Sequence, residues 1–314
     1  MNRFLLTVFL CISWTPLAFS AGDPWDYIKD GAHGPSNWGG TCGTGKKQSP
    51  INIKGHDATV DKDLGSFMLK NYDMAPTNGT FTAKNNGHSL VFVFPENADY
   101  GVSGGGLVGN YKTHSFHFHW GSNNTQGPEH ILDGEKFGAE LHFVSYNTKY
   151  SNISEAIAKA DGLAVLGVFL KVEGDKNEAF SFLEDAKSLI DMSSSSNVTA
   201  FKLKPMLPSN KTKYFRYSGS LTTPRCYESV TWTVFNDAVK ISQYQMDILR
   251  SLKGNNGASM DNNYRPVQPL NGRVVKASFQ VPPLSLTPTE AGASVVNMAT
   301  GLFSLMLFAA LFGH

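Results

Sequence analysis

Two short stretches of alternating residues, Thr113 to Trp120 and Ala139 to Tyr146, constrain this chain more than anything else in it. Successive side chains of an extended strand point to opposite faces. The first stretch therefore sends His117 and His119 to one face and Phe116, Phe118 and Trp120 to the other. The second presents Glu140, His142 and Val144 on one face, with Leu141 and Phe143 opposite. If the two are neighbouring strands, three imidazoles converge. Three neutral histidine ligands with no fourth protein ligand make the open site of a catalytic zinc, whose last position is left for water, whereas a structural zinc is closed. A lone His-x-His is more often an ordinary buried or surface pair, so the surroundings decide between the readings.

Alternating or apolar runs recur between turn residues at Thr80 to Lys84, Ser89 to Phe94, Lys112 to Trp120, Gly138 to Tyr146, Leu163 to Val172, Tyr214 to Gly219 and Val230 to Phe235. These predict strands. Helical patterning is sparser, at Ser154 to Ala160, Glu178 to Leu189 and Ser242 to Leu252, with Ser154 and Ser242 as expected caps. The expected fold class is mainly β, of the α+β kind. No internal repeat is visible, and one body of about residues 21–287 carries the pattern.

The ends read differently. Residues 1–20 have a basic start, an apolar run from Phe4 to Ile12 and small residues near Ser20 and Ala21, the layout of a secretory signal peptide. Residues 288–314 offer small residues at Ala291, Gly292 and Ala293, then a spacer and an uncharged apolar tail, the order of a glycosylphosphatidylinositol attachment signal. The alternative there is a transmembrane helix, but the tail is short of the roughly 20 residues a bilayer needs. Cys11 leaves with the signal peptide, so Cys42 and Cys226 remain as an even pair, expected to be bonded in an oxidising compartment. Asn78, Asn123, Asn152, Asn197 and Asn210 open Asn-x-Ser/Thr sequons. With 27 basic and 26 acidic residues there is no electrostatic case for a nucleic-acid partner.

The residues around the two histidine stretches carry a family resemblance. Ser-Phe-His-Phe-His-Trp-Gly from Ser115, Gly-Pro-Glu-His from Gly127 and Ala-Glu-Leu-His from Ala139 resemble the zinc-site signature of the α-carbonic anhydrases, and the likeness runs over nearly all of Trp25 to Phe279. It implies one domain built on a large central, mostly antiparallel twisted sheet with short helices on its surface. It implies Zn2+ held by His117, His119 and His142, with Glu140 as the outer partner of His142 and the carbonyl of Asn263 as that of His119. Ser115 stands where studied members have an outer glutamine.

The same resemblance implies that Thr222, in Gly219-Ser220-Leu221-Thr222-Thr223-Pro224, aims the attacking hydroxide while donating to Glu129. Val144, Val165, Leu221 and Trp232 match the family's apolar wall for carbon dioxide, with Thr222 and Thr223 in the same pocket. Asn85-Asn86-Gly87-His88 places His88 at the proton-shuttle position, a role suited to an imidazole of pKa near 6.5. Val91 stands where better-known members are polar. Trp25 and Trp38 match aromatic anchors, and Tyr27 borders the cavity.

The expected function is reversible hydration of carbon dioxide to bicarbonate at the extracellular face of the plasma membrane, similar to the lipid-anchored type IV and type XV members. The expected partners are carbon dioxide and bicarbonate, the membrane through its anchor, and bicarbonate or proton transporters. The alternatives are a non-catalytic binding or adhesion module on the same fold and a secreted zinc esterase. The complete ligand set argues against the first, and no pocket shaped for a larger ester supports the second.

Overall fold

The computed structural model describes residues 24–282. The expected signal peptide, Cys11, the anchor signal and its candidate residues Ala291, Gly292 and Ala293 lie outside the described residues. Among the described residues no helix is long and apolar enough to cross a membrane.

The fold is a 13-stranded sheet with a few short helices on it. From one edge the strands run Ser195–Thr199, Thr80–Asn85, Leu90–Val93, Tyr111–Trp120, Ala139–Asn147, Leu163–Val172, Val230–Phe235, Tyr214–Gly219, Lys276–Ala277 and Thr59–Val60. The sheet is mixed. Leu163–Val172 runs parallel to Val230–Phe235 and to Val239–Ile241, as Lys276–Ala277 does to Thr59–Val60. The other pairings in it are antiparallel.

The alternation read from the sequence is the two-sidedness of this sheet. Phe116, Phe118, Trp120, Leu141, Phe143 and Leu166 turn one way into a large buried cluster that also holds Phe92 and Tyr214. Fully burying each such side chain is worth about 1.5–3 kcal/mol, and together they leave the strands no freedom to slip by one residue. The opposite face carries the histidines and merges with a second cluster that includes Val165, Phe215, Trp232 and Val234. The strict alternation of the first stretch begins at Ser115, because the pairing with Ala139–Asn147 shifts between Thr113 and Ser115.

Strands Leu163–Val172, Tyr214–Gly219 and Val230–Phe235 have the predicted bounds. Two helices differ. The helix expected from Ser154 is Ile153–Ala156, and its cap is Asn152, whose side chain accepts from the Glu155 N–H at 3.0 Å. Beyond it the chain turns through Lys159 N–H to Ala156 O and Gly162 N–H to Lys159 O, both 2.8 Å, and Gly162 returns so close that a Cβ would meet the Ala156 carbonyl oxygen at 1.8 Å. The span Glu178 to Leu189 is not one helix but a 3-10 turn, Glu178–Phe180, and a short helix, Leu183–Ala186. The turns on either side of Leu183–Ala186 close by i to i−3 backbone bonds, Ser181 to Glu178 and Leu189 to Ala186 among them, so the α-helical part is confined to a short stretch between them. The helix Gln243–Arg250 begins as expected, with Ser242 and Gln245 forming a reciprocal capping box.

Candidate metal centre

Register brings the predicted groups together. His117 pairs across the strands with His142, His119 with Glu140, and Ser115 with Val144. Ring centroids of His117, His119 and His142 stand 4.8–5.2 Å apart, and one nitrogen of each lies within 4.8 Å of the others.

Two outer nitrogens are tied to the protein. His119 Nδ1 lies 2.7 Å from the Asn263 carbonyl oxygen, and His142 Nε2 lies 2.7 Å from Glu140 Oε1. Each ring must donate there, which fixes its tautomer and turns the other nitrogen, a lone pair, inward. Asn263 is itself held, its side chain accepting from the Trp120 N–H at 2.6 Å and donating to the His88 and Phe118 carbonyls. His117 has no such tie among the described residues. Ser115, the expected outer neighbour, makes no hydrogen bond to it among the described residues.

Electrostatics favour neutral ligands. Burial and the neighbouring rings His119 and His142 hold His117 well below the usual imidazole range, burial lowers His119 to about 4, and burial also lowers His142 from its ordinary value. Burial would raise Glu140, but His130 and His142 beside it outweigh that and keep it ionised, with a pKa well below the ordinary carboxyl value. The inward atoms are left unsatisfied. His119 Nε2 and Glu129 Oε2 are buried without a hydrogen-bond partner among the described residues, 3.5 Å apart. A buried lone pair without a donor is costly, and a divalent cation among three neutral imidazoles resolves it. The residues fit zinc.

Glu129 sits beneath this group. Its Oε1 accepts from the Arg265 N–H at 2.9 Å, and burial raises its carboxyl to about 7, opposed by His142, that N–H and the neighbouring Thr222 hydroxyl. Thr222 is buried beside it, although no hydrogen bond within 3.5 Å joins the two. The loop carrying Thr222 is closed by backbone bonds from Leu221 N–H to Tyr227 O and from Cys226 N–H to Thr223 O, both 3.0 Å, and by the Cys42–Cys226 disulfide. Arg225 and Cys226 both take positive φ, 81° and 44°, within it. Val144, Val165 and Trp232 follow one another across three strands in register, and Leu221 packs on the same cluster.

His88 departs from expectation. Its ring stacks on Trp25 with centroids 3.6 Å apart and planes at 7°, and burial lowers its pKa to about 4 instead of the 6.5 that a neutral-pH carrier would have. Trp25 in turn packs edge-on against Trp38 and Tyr27, close to the disulfide.

The sequence pattern assigns no role to His130, although it stands in the Gly-Pro-Glu-His motif. It is fully buried, with Nδ1 2.7 Å from Glu140 Oε1, its N–H donating to Glu140 Oε2 at 2.8 Å, and Nε2 2.6 Å from the Tyr217 hydroxyl. Glu140 thus serves two histidines. Gly167 makes room for it, since a Cβ there would stand 2.9 Å from Glu140 Oε1. Arg265 likewise carries no signal in the sequence; fully buried, it donates to Gln48 and to the Ser49 and Cys42 carbonyls.

A family model described as eukaryotic-type carbonic anhydrase matches residues 33–279. The chain belongs to that family. Carbonic anhydrase 7 of Mus musculus is 42% identical over 265 residues, 82% of this chain and 97% of its own length. Carbonic anhydrase 7 of Homo sapiens is 41% identical over the same lengths, and carbonic anhydrase 1 of Oryctolagus cuniculus is 41% identical over 241 residues, 75% of this chain and all of its own. Membership in a zinc-dependent family makes zinc the cofactor for which the imidazole triad is built, and it supports hydration of carbon dioxide as the activity.

Proposed function

We propose that this carbonic anhydrase is catalytically competent and acts at the extracellular face of the plasma membrane on a lipid anchor, as the type IV and type XV members do. The observation that carries the catalytic reading is the buried, unpartnered His119 Nε2 within a triad of which two rings, His119 and His142, are held in ligand tautomers. His117, His119 and His142 would hold the metal. Bound zinc supplies a water-derived nucleophile at neutral pH by lowering the pKa of coordinated water to about 7, a magnitude established for carbonic anhydrases as a class and not deduced from this structure.

The rest is the work of the chain. Glu140 and the Asn263 carbonyl hold two ligand rings in place. Thr222, with Glu129 behind it, orients the attacking oxygen through its hydroxyl. Val144, Val165, Leu221 and Trp232 offer uncharged carbon dioxide an apolar seat, with Thr223 beside it, and exclude competing water. His88 carries the proton outward when its stack on Trp25 opens. The extracellular part of the reading is supported by the leader-like residues 1–20, the anchor-like residues 288–314 and a disulfide of the kind that persists in oxidising compartments. Bicarbonate or proton transporters are the expected neighbours there.

Stopped-flow carbon dioxide hydration, with zinc content measured on the same sample, tests the proposal. Wild type should hold one zinc and turn over rapidly, and His142→Ala should lose both. Unchanged zinc in that variant would refute the ligand set. Bound zinc with negligible hydration by wild type would instead establish the non-catalytic binding module.

A further inference from the structure

The strand Ser195–Thr199 forms one edge of the large sheet. All five of its residues pair in unbroken register with Thr80–Asn85 on one side only. Open edges invite pairing with other chains, and proteins guard them by shortness, charge, proline or bulges. The other open edges here are guarded. Thr59–Val60 has two residues, Phe67–Lys70 ends in Lys70, and Val239–Ile241 carries Lys240. Ser-Ser-Asn-Val-Thr carries none of these devices within the strand itself, and what flanks it is the segment with Glu184, Asp185 and Lys187.

What it has is the sequon Asn197-Val198-Thr199. Val198 turns into the core, whereas Asn197 and Thr199 are exposed. The Thr82 hydroxyl donates to Asn197 Oδ1 at 3.3 Å, and Asn197 Nδ2 has no partner among the described residues. Beside the edge lies an open groove of about 530 Å3, lined by residues 196–199 and by Glu184, Asp185, Lys187 and Ser188. Such polar walls suit the hydroxyls and acetamides of a sugar.

We propose that Asn197 carries an N-linked glycan whose first sugars lie along this groove and close the sheet edge. The reaction joins Asn197 Nδ2 to the anomeric carbon of an oligosaccharide donated by a polyprenyl pyrophosphate. The carbon–oxygen bond to pyrophosphate breaks, Nδ2 loses one proton, and nothing is oxidised or reduced. The inference rests on the secretory reading above, because that transfer takes place in the secretory lumen. It goes beyond that reading by choosing the residue and giving the sugar a structural task.

The test uses the full chain expressed in a eukaryotic secretory host and solubilised from its membranes. Enzymatic deglycosylation in heavy-oxygen water marks each occupied sequon by mass. Asn197 should be marked. Light scattering at rising concentration should then show Asn197→Gln moving to larger species than wild type. Asn197→Lys, which restores a guard by charge alone, should stay at wild-type size, and all three proteins should retain zinc. Occupied sequons elsewhere with Asn197 bare would overturn the proposal while leaving the secretory reading intact. Occupied Asn197 with Asn197→Gln unchanged in size would overturn the task of the sugar. A chain that never enters the secretory pathway would sink both readings together.

Discussion

Trp25 holds His88 in a state that differs from its expected role. A ring stacked at 3.6 Å loses the hydration that stabilises its charged form, and its pKa drops to about 4. At neutral pH the stacked ring is therefore an acceptor that gains a proton reluctantly. Trp25→Ala should return it toward 6.5, and an NMR titration of the His88 ring should show the rise. His88→Ala should keep its zinc and slow only turnover limited by buffer. A His88 pKa that stays near 4 without Trp25 would mean that the rest of its surroundings, and not the stack, desolvates the ring. The motif at residues 85–88 locates this histidine, but no local pattern announces that an aromatic residue some sixty positions earlier covers it. The partners of Glu140 are half legible in the same way. His142 follows from alternation, while His130 reaches Glu140 only through the fold of residues 127–130.

At the level of elements, the Thr222 loop is the part whose geometry depends most on a distant bond. Two consecutive non-glycine residues with positive φ, Arg225 and Cys226, are conformations that the chain adopts reluctantly. The link from Cys226 to Cys42 spans 184 residues and secures them. Replacing both cysteines by serine should cost up to about 5 kcal/mol by loop-closure entropy. Hydration should fall while zinc is retained, since the three imidazoles sit on strands and not on this loop. A urea midpoint, zinc content and turnover measured together would check this, and lost zinc would show that the loop also supports the metal. The strands themselves are the most legible part of the sequence, because alternation and burial say the same thing there. The segment from Glu178 to Leu189 reads as one helix in the sequence because its apolar residues fit both a three-residue and a 3.6-residue turn over so short a run.

For the whole molecule, burying several ionisable groups without metal sets the response to acid. An unfolded imidazole takes a proton below about 6.5, but folded His119 refuses one until about 4, and His117 and His142 are shifted the same way. The unfolded state therefore binds more protons in that window, so the stability of the zinc-free protein falls as pH drops from 6.5 toward 4. Glu140, lowered as well, adds to the loss once unfolded carboxylates begin to protonate. Glu129 opposes it; raised to about 7, it contributes stability that fades as pH rises from 4.5 through 7. Three imidazoles outweigh one carboxyl, so the urea midpoint of zinc-free protein should be lower at pH 5 than at pH 7. An equal or higher midpoint in acid would mean that these rings are solvated.

The carbonyl that orients His119 lies 144 residues further along the chain, and the N–H that holds Glu129 lies 136 residues beyond it. During synthesis the three ligands leave the ribosome long before either support exists. A metal ion arriving early would meet three histidines on half a sheet, with only the His142 ring held, by Glu140. Secure loading therefore waits until the chain has emerged past Arg265 and folded back, so a tightly held zinc marks a molecule that is finished.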